Sequence, residues 1–317
     1  MIPHIEYGHP IDEYHADPAI GSTGLKRAAR SVLHFATPDH RDSDAMRLGR
    51  FAHSLILEPA TVWQQYARPF VVPDGLIADT SAGLKEACAE HGLPVTGKKD
   101  VLSDRLREIG VSLEIDAWDA WRHENAERVP VTAEDIERAE AMRDSVKRLD
   151  LDRMAAGLPI VLPPDITAEA SIWWDDDTTG LRCRCRPDAM ALGTGVTITD
   201  LKTCRDASPH GFARAVANFR YDISAAHYVL GVAAAQAAEL LPAGPIRWLW
   251  LAVESAEPYA AAVYSGDEWI AGAMQDRAEL MDKIAHWKAA GGDAPGYGHE
   301  IVNLEPPVWL RRQWDNS

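Results

Sequence analysis

Two short motifs carry the clearest chemistry in this chain. Asp188, in Arg186-Pro187-Asp188, is followed twelve residues later by Asp200, in Asp200-Leu201-Lys202. Residues i and i+2 of a strand share a face, so Asp200 and Lys202 point the same way and Leu201 points into the core. The turn Leu192-Gly193-Thr194-Gly195 folds the Asp188 strand back against residues 196–202 and sets the two aspartates side by side. Two carboxylates on adjacent strands make an oxygen-rich site for Mg²⁺ or Mn²⁺. A lysine beside such a cation orients or deprotonates a water and stabilises developing negative charge. The competing reading is a solvated strand end with an ordinary Asp–Lys pair. Three features weigh against it: the preceding Pro-Asp, the hairpin spacing, and the scarcity of lysine, eight against twenty-four arginines.

The flanking periodicity says what positions these residues. Residues 22–36 read as a helix capped by Ser22 or Thr23. Residues 43–57 read as a second helix, capped by Ser43, with Gly49 and His53 one turn apart on the flank of its apolar stripe. Residues 132–149 read as a third, capped by Thr132. From about residue 166 the period changes: TAEASIWW, LRCRCR, DAMAL, VTITDLK, IRWLWLAVE and YAAAVY read as strands, with helices over 209–217 and 222–240. Strands with helices crossing between them predict an α/β or α+β sheet domain. Trp118, Trp121, Trp173, Trp174, Trp248 and Trp250 read as packing residues.

Between Thr80 and Gly110 lies a compact helix–turn–helix pattern, too short to bury much core alone. Leu84, Leu93, Val101, Leu102 and Leu106 are its expected core, Gly92 ends its first helix and Gly97 opens its second. Lys98 and Lys99 fall at that second N-terminus, where amide groups and ammonium charges attract phosphate; solvated lysines on a structural spacer are the alternative.

The whole-chain figures narrow the class. Lys+Arg 32 against Asp+Glu 48 gives a net charge of −16, which disfavours indiscriminate nucleic-acid binding without excluding a basic groove. Such a groove is expected to draw on Arg27, Arg30, Arg47, Arg50, Arg186 and Lys202. Four cysteines with no C-x₂-C pair exclude a zinc ribbon or a cysteine-ligated cluster and point to a reducing cytoplasm. No run is long and apolar enough for a membrane span, and the polar start is unlike a signal peptide. Arg182, Arg184 and Arg186 share one strand face; they either line a DNA groove or cover the sheet by pairing with Asp175, Asp176 and Asp177.

The PD…DLK set resembles the PD-(D/E)xK nuclease superfamily. Further segments resemble the RecE-type (exonuclease VIII-like) exodeoxyribonucleases of phages and prophages, in family order: EYHADPAIGSTGLKRAARS, the G-x-x-x-H helix in MRLGRFAHSLILEP, AEASIWWDDDTTGLRCRCRPDAM, ITDLKTCRDASPHGFARAVANFRYDISAAHYVLG, WLAVESAEPYAAAVY, and PGYGHEIVNLEPPVWL as C-terminal strand. The resemblance implies a restriction-endonuclease-like α/β core, a central mixed sheet flanked by helices. Residues 1–78 would be its N-terminal helical part, 79–112 a SAP-like helical DNA-binding insertion, and 113–317 the nuclease core. It implies Asp188, Asp200 and the Leu201 carbonyl as metal ligands and Lys202 as the group acting on water or leaving oxygen. His53 would be a metal ligand or phosphate contact, and Glu169 an outer carboxylate or simply the polar face of a strand. It places Lys98, Lys99, Arg186, Thr203, Ser224 and Tyr228 toward DNA. Ser224 departs from the family's Q-x-x-x-Y pattern, replacing a glutamine with a shorter side chain.

The implied activity is Mg²⁺- or Mn²⁺-dependent digestion of linear double-stranded DNA from the 5′ end, leaving a 3′ strand for recombination. A ring-shaped homo-oligomer, a single-strand annealing (RecT-type) partner and a bacterial cytoplasm are implied with it. The rivals are an endonuclease or Cas4-like enzyme on the same fold, a catalytically silent DNA-binding protein, and an acidic DNA mimic.

Overall fold

The change of period near residue 166 becomes a mixed sheet. In a computed structural model, which describes residues 2–37, 43–292, 296–297 and 300–315, the strands are β1 (His4–Glu6), β2 (Tyr66–Ala67), β3 (Val129–Pro130), β4 (Thr167–Ala168), β5 (Ser171–Asp175), β6 (Arg182–Cys185), β7 (Ala189–Leu192), β8 (Val196–Cys204), β9 (Ile246–Glu254) and β10 (Ala261–Ser265). The helices are α1 (Ile11–Ala16), α2 (Ser22–Ala28), α3 (Val32–Ala36), α4 (Asp44–Leu57), α5 (Val62–Gln65), α6 (Ser81–Glu90), α7 (Lys99–Glu108), α8 (Glu114–Glu124), α9 (Ala133–Ala155), α10 (Pro209–Phe219), α11 (Tyr221–Ala237), α12 (Asp267–Ala289) and α13 (Val308–Asp315).

A five-stranded sheet runs β10-β9-β8-β7-β4, parallel only between β8 and β9, and a three-stranded sheet runs β1-β5-β6. Alternation along the central strands sorts side chains onto two cores. Val196, Ile198, Trp248, Trp250 and Ala252 face the layer of α2, α11 and α12. Leu201, Leu251 and Val253 face α4 and α9. This is the expected α/β architecture, a mixed central sheet flanked by helices. Trp173, Trp174, Trp248 and Trp250 are buried, as read from the sequence.

Two strands cross between the sheets side by side. The expected strand over TAEASIWW breaks into β4, paired with β7, and β5, paired with β6. The LRCRCR and DAMAL segments likewise divide between β6 in the small sheet and β7 in the large one. The crossing residues are Glu169 with Ala170, and Arg186 to Asp188. Pro187 lacks an N–H, which costs nothing where a strand leaves its ladder. Glu169 turns at a left-handed φ of 53°, and its N–H donates to the Asp188 carbonyl at 3.2 Å.

Several other expectations change. The helix read over 22–36 is two helices, because Ser31 caps a new start and accepts from the His34 N–H. The helix from Thr132 runs on to Ala155. The N-terminal part is not wholly helical, since β1 pairs with β5. The segment read as C-terminal strand carries no strand among its described residues. Pro306 and Pro307 offer no amide to a ladder, and α13 follows them; positions 295, 298 and 299 lie outside the described residues.

In the 79–112 segment, α6 and α7 close on their own apolar cluster of Leu84, Ala87, Cys88, Leu102, Leu106 and Leu113, with Leu93 beside it. Val101, read as core, is 43% exposed and lies against Gly97 instead. Ile77 and the Ser112–Glu114 stretch bond to each other, so the two ends of the unit meet.

His227 on α11 is fully buried, its Nε2–H shared between the carbonyls of Ile20 and Arg184, each at 3.1 Å. Burial, with Arg277 nearby, pulls its pKa down to about 3. The unfolded chain therefore takes up a proton below the usual histidine value of about 6.5 that the folded chain refuses. Stability is expected to fall as pH drops from about 6.5 toward 3, by up to about 1.4 kcal/mol per pH unit from this group. A melting-temperature scan against pH checks this: His227→Gln, which keeps a donor but cannot titrate, should flatten the slope.

Candidate functional site

The place where the two strands cross is also where the sequence motifs meet. Ala189 pairs with Thr199 in the β7–β8 hairpin, so Asp188 stands one step further on, opposite Asp200. Strand parity puts Asp188, Asp200 and Lys202 on the side of α2 and α11. The Leu201 N–H donates to Asp188 Oδ2 at 2.7 Å.

Helix α4 brings His53 to the same point. Gly49 makes this approach workable: a Cβ there would stand 3.0 Å from Thr203 Oγ1. One turn later His53 Nε2 lies 3.0 Å from Asp188 Oδ2 and 3.1 Å from the Leu201 carbonyl oxygen, and its Nδ1 lies 3.7 Å from Glu169 Oε1. His53, Glu169 and Asp188 offer donor atoms all within 4.8 Å of one another. Glu169, uncertain from sequence, is thus at the centre of the group. Asp200, opposite Asp188, lies outside that group of three: it is 5% exposed at its side chain and sits 2.6 Å from Lys202 Nζ, which is also 3.8 Å from Asp188 and 3.3 Å from the Leu201 carbonyl.

Charge explains the arrangement. Burial works to raise the Asp188 pKa, but His53, Lys202 and the Leu201 amide outweigh it and hold that carboxyl below its usual range. Burial and Asp188 push Asp200 upward against the pull of Lys202. Burial works to lower His53, yet Asp188 and Glu169 lift it to about 10, and Lys202 is likewise raised by its two aspartates against burial.

The donor set fits a divalent cation. It comprises carboxylates, one main-chain carbonyl and one imidazole, a combination suited to hard or borderline ions. Adjacent donors around an octahedral ion with bonds of about 2.1 Å stand about 3.0 Å apart; the His53–Asp188 and His53–Leu201 separations are 3.0 and 3.1 Å.

The residues assigned toward DNA divide. Arg186 turns inward: its Nε is 2.8 Å from Glu169, and it donates to the His9 carbonyl and Ser171 Oγ. Arg182 pairs with Asp175 and His4, and Arg184 donates to the carbonyls of Tyr14 and His15. The arginine face clamps the N-terminal segment onto the small sheet, and no open groove is built from it. Arg47 pairs with Asp44. Thr203 faces α4. Ser224 is buried with no hydrogen-bond partner for its hydroxyl. Tyr228 packs edge-on against Trp248, and burial with Tyr14, Asp188 and Asp200 pushes its hydroxyl pKa up. In the small helical unit Lys99 pairs with Asp79 at 2.6 Å, Lys98 is the N-cap residue of α7, Arg105 donates to the Pro94 and Thr96 carbonyls, and Arg107 pairs with Asp104 and Asp116.

Two neighbours of the site were missed. Lys26, on the last turn of α2, reaches the Tyr221 ring at 5.6 Å from its centre; its rarity was the available signal. Glu58, at the end of α4, is raised by burial and by Glu169.

A family model described as "PDDEXK-like domain of unknown function (DUF3799)" matches residues 26–301. Among solved structures, a "putative exonuclease" from Eubacterium rectale is similar, with a TM-score of 0.38 and 12% identity over 75% of this chain and 92% of that one. No curated protein matches.

Proposed function

The chain belongs to the PDDEXK-like DUF3799 family, and from that premise we propose that it is a divalent-metal-dependent exonuclease acting on linear double-stranded DNA. The observation that carries this reading is that His53 Nε2 lies 3.0 Å from Asp188 Oδ2 and 3.1 Å from the Leu201 carbonyl oxygen, with Lys202 facing both aspartates.

Asp188, the Leu201 carbonyl and His53, with Glu169 and Asp200 beside them, would hold Mg²⁺ or Mn²⁺, which supplies Lewis acidity and lowers the pKa of water. Hydrolysis forms a bond from a water oxygen to phosphorus, breaks the bond to the leaving sugar oxygen, and returns a proton to that oxygen. Lys202 places a full positive charge where the phosphoryl oxygens gain negative charge. Asp200 fixes that ammonium, and Glu169 sets the imidazole plane of His53 while tethered to Arg186.

The finer reading is a RecE-type enzyme: resection from the 5′ end, a 3′ single-stranded product, a ring of subunits, and a RecT-type annealing partner. Lys98 at the start of α7 would add a sequence-independent phosphate contact from the SAP-like unit.

The test uses end-labelled linear duplex and covalently closed circular duplex, each with Mg²⁺, Mn²⁺ or EDTA. Mononucleotide release from linear DNA only, dependent on metal and faster from a 5′ label, is the expected result. Cleavage of the closed circle overturns the exonuclease reading. Binding without cleavage under any metal identifies a silent DNA-binding protein.

A further inference from the structure

The metal-ligand group accounts for Lys202 but leaves a second ammonium beside it unexplained. Helix α2 packs on α11, and Lys26 Nζ lies 5.6 Å from the Tyr221 ring centre while Lys202 Nζ lies 5.4 Å from the same ring. Lys202 has Asp200 and Asp188 as partners; Lys26 has no carboxylate within 4.0 Å among the described residues. Burial and the charge of Lys202 pull the Lys26 pKa down to about 8, against Asp200, Asp188 and Asp222. A half-buried cation without a counterion is costly in the folded chain.

A second orphan stands on the facing helix. Residues 221, 224 and 228 fall on one face of α11 by helical spacing. Tyr221 and Tyr228 both lie within the electrostatic reach of Asp200. Between them Ser224 is 5% exposed, and its buried hydroxyl makes no hydrogen bond. Ser224 also lies in the first turn of a 17-residue helix, whose amide dipoles favour an anion. The acidic residue of that turn, Asp222, is already engaged by Arg220 at 3.0 Å.

We propose that Lys26, together with Lys202 and the Ser224 hydroxyl, forms a phosphate-binding subsite beside the metal-ligand group. It rests on the nuclease reading and names how that site would grip its substrate. Two ammonium groups and a hydroxyl donate; a phosphate offers several acceptor oxygens and negative charge, and its arrival removes both orphans at once. The phosphate is either the diester being cut or a terminal monoester of the DNA end. Lys26 is then a substrate-positioning residue on an N-terminal helix, so α2 is part of the site rather than only packing for it.

The test is fluorescence anisotropy of short duplexes, with and without a 5′-phosphate, in EDTA so that nothing is cleaved, alongside turnover with Mn²⁺. Lys26→Met keeps the apolar stem and removes the charge; it should weaken binding about tenfold or more, the size of a charged hydrogen bond, and Lys26→Arg should recover most of it. Equal loss for both duplexes places the diester in the subsite, and loss confined to the phosphorylated duplex places the terminal monoester there. Ser224→Ala removes a group with no partner, so its melting temperature should not fall while its affinity does. Unchanged affinity in both Lys26→Met and Ser224→Ala overturns the subsite and leaves the nuclease reading standing. Should Lys26→Met fold poorly, Ser224→Ala decides, and unchanged affinity there overturns the subsite. A wild-type protein that binds in a Lys26-dependent way but cleaves nothing overturns the nuclease reading alone.

Discussion

Asp188→Asn is expected to abolish hydrolysis and to destabilise the protein, whereas Asp200→Asn is expected to abolish hydrolysis at little cost in stability. Both remove a carboxylate from the same hairpin, so the contrast comes from their surroundings. Asp188 has a folded pKa below its ordinary value, held there by His53, Lys202 and the Leu201 N–H against burial. A carboxyl with a lowered folded pKa contributes stability above its unfolded pKa, and loses it as pH falls through the folded value. At neutral pH that contribution is fully present, so its removal leaves two buried cations facing an amide. The cost is about 3 kcal/mol, the usual consequence of breaking a buried pair from one side. Asp200 has the opposite sign: burial and Asp188 raise it, so its ionised form at neutral pH is held at a penalty. Asparagine, close in shape to the protonated acid, relieves that penalty while Lys202 keeps Asp188 at 3.8 Å. Turnover in either variant should fall by about a thousandfold or more, as for loss of a principal transition-state contact. Thermal melts at pH 7 beside single-turnover rates are the check; equal melting temperatures for the two variants would refute the assigned charge balance.

The part of this site that was legible in the sequence is the part made by local geometry. Strand parity alone placed Asp200 and Lys202 on one face and Leu201 on the other, and a four-residue turn sufficed to bring Asp188 alongside. His53 was legible only through the resemblance: the G-x-x-x-H helix motif implies it, and Gly49 one turn before it turns out to be where that helix comes close to β8. What was hidden depends on contacts between elements far apart in sequence. Glu169 reads as one more residue in an alternating strand, and nothing nearby shows that the strand changes sheets there with a left-handed backbone. Arg186 reads as outward because its neighbours alternate, yet the same crossing turns it onto Glu169. Lys26 lies on a helix whose apolar stripe says only that it packs, and α11, nearly two hundred residues later, decides against what. Val101 shows the limit within a small unit, since hydrophobicity did not reveal that Gly97, Ile77 and Leu113 would set the register of that core.

Lys202→Met is expected to bind Mn²⁺ more tightly than wild type while losing turnover, a combination that a merely structural lysine would not give. The Lys202 ammonium lies 2.6 Å from Asp200, 3.8 Å from Asp188 and 3.3 Å from the Leu201 carbonyl. Those are the oxygens the proposed cation would use, so the side chain and the ion compete for one negative region. Two like charges about 4 Å apart at an effective dielectric of 20 repel by about 4 kcal/mol. Lys202 can relieve part of that by swinging toward the Tyr221 ring, so about a tenfold gain in Mn²⁺ affinity is the expected size for the methionine variant. Turnover should fall by about a hundredfold to a thousandfold at saturating metal, because the charge that meets the developing phosphoryl negative charge is gone. Lys202→Arg separates charge from shape: its planar fork cannot take the place of a compact ammonium between two carboxylates. It should therefore neither gain metal affinity nor regain full rate. Mn²⁺ titration followed by calorimetry, paired with single-turnover rates, reads both quantities on one sample. Weaker metal binding in Lys202→Met, with turnover restored by excess Mn²⁺, would make Lys202 a prop for Asp200 and remove it from the chemistry.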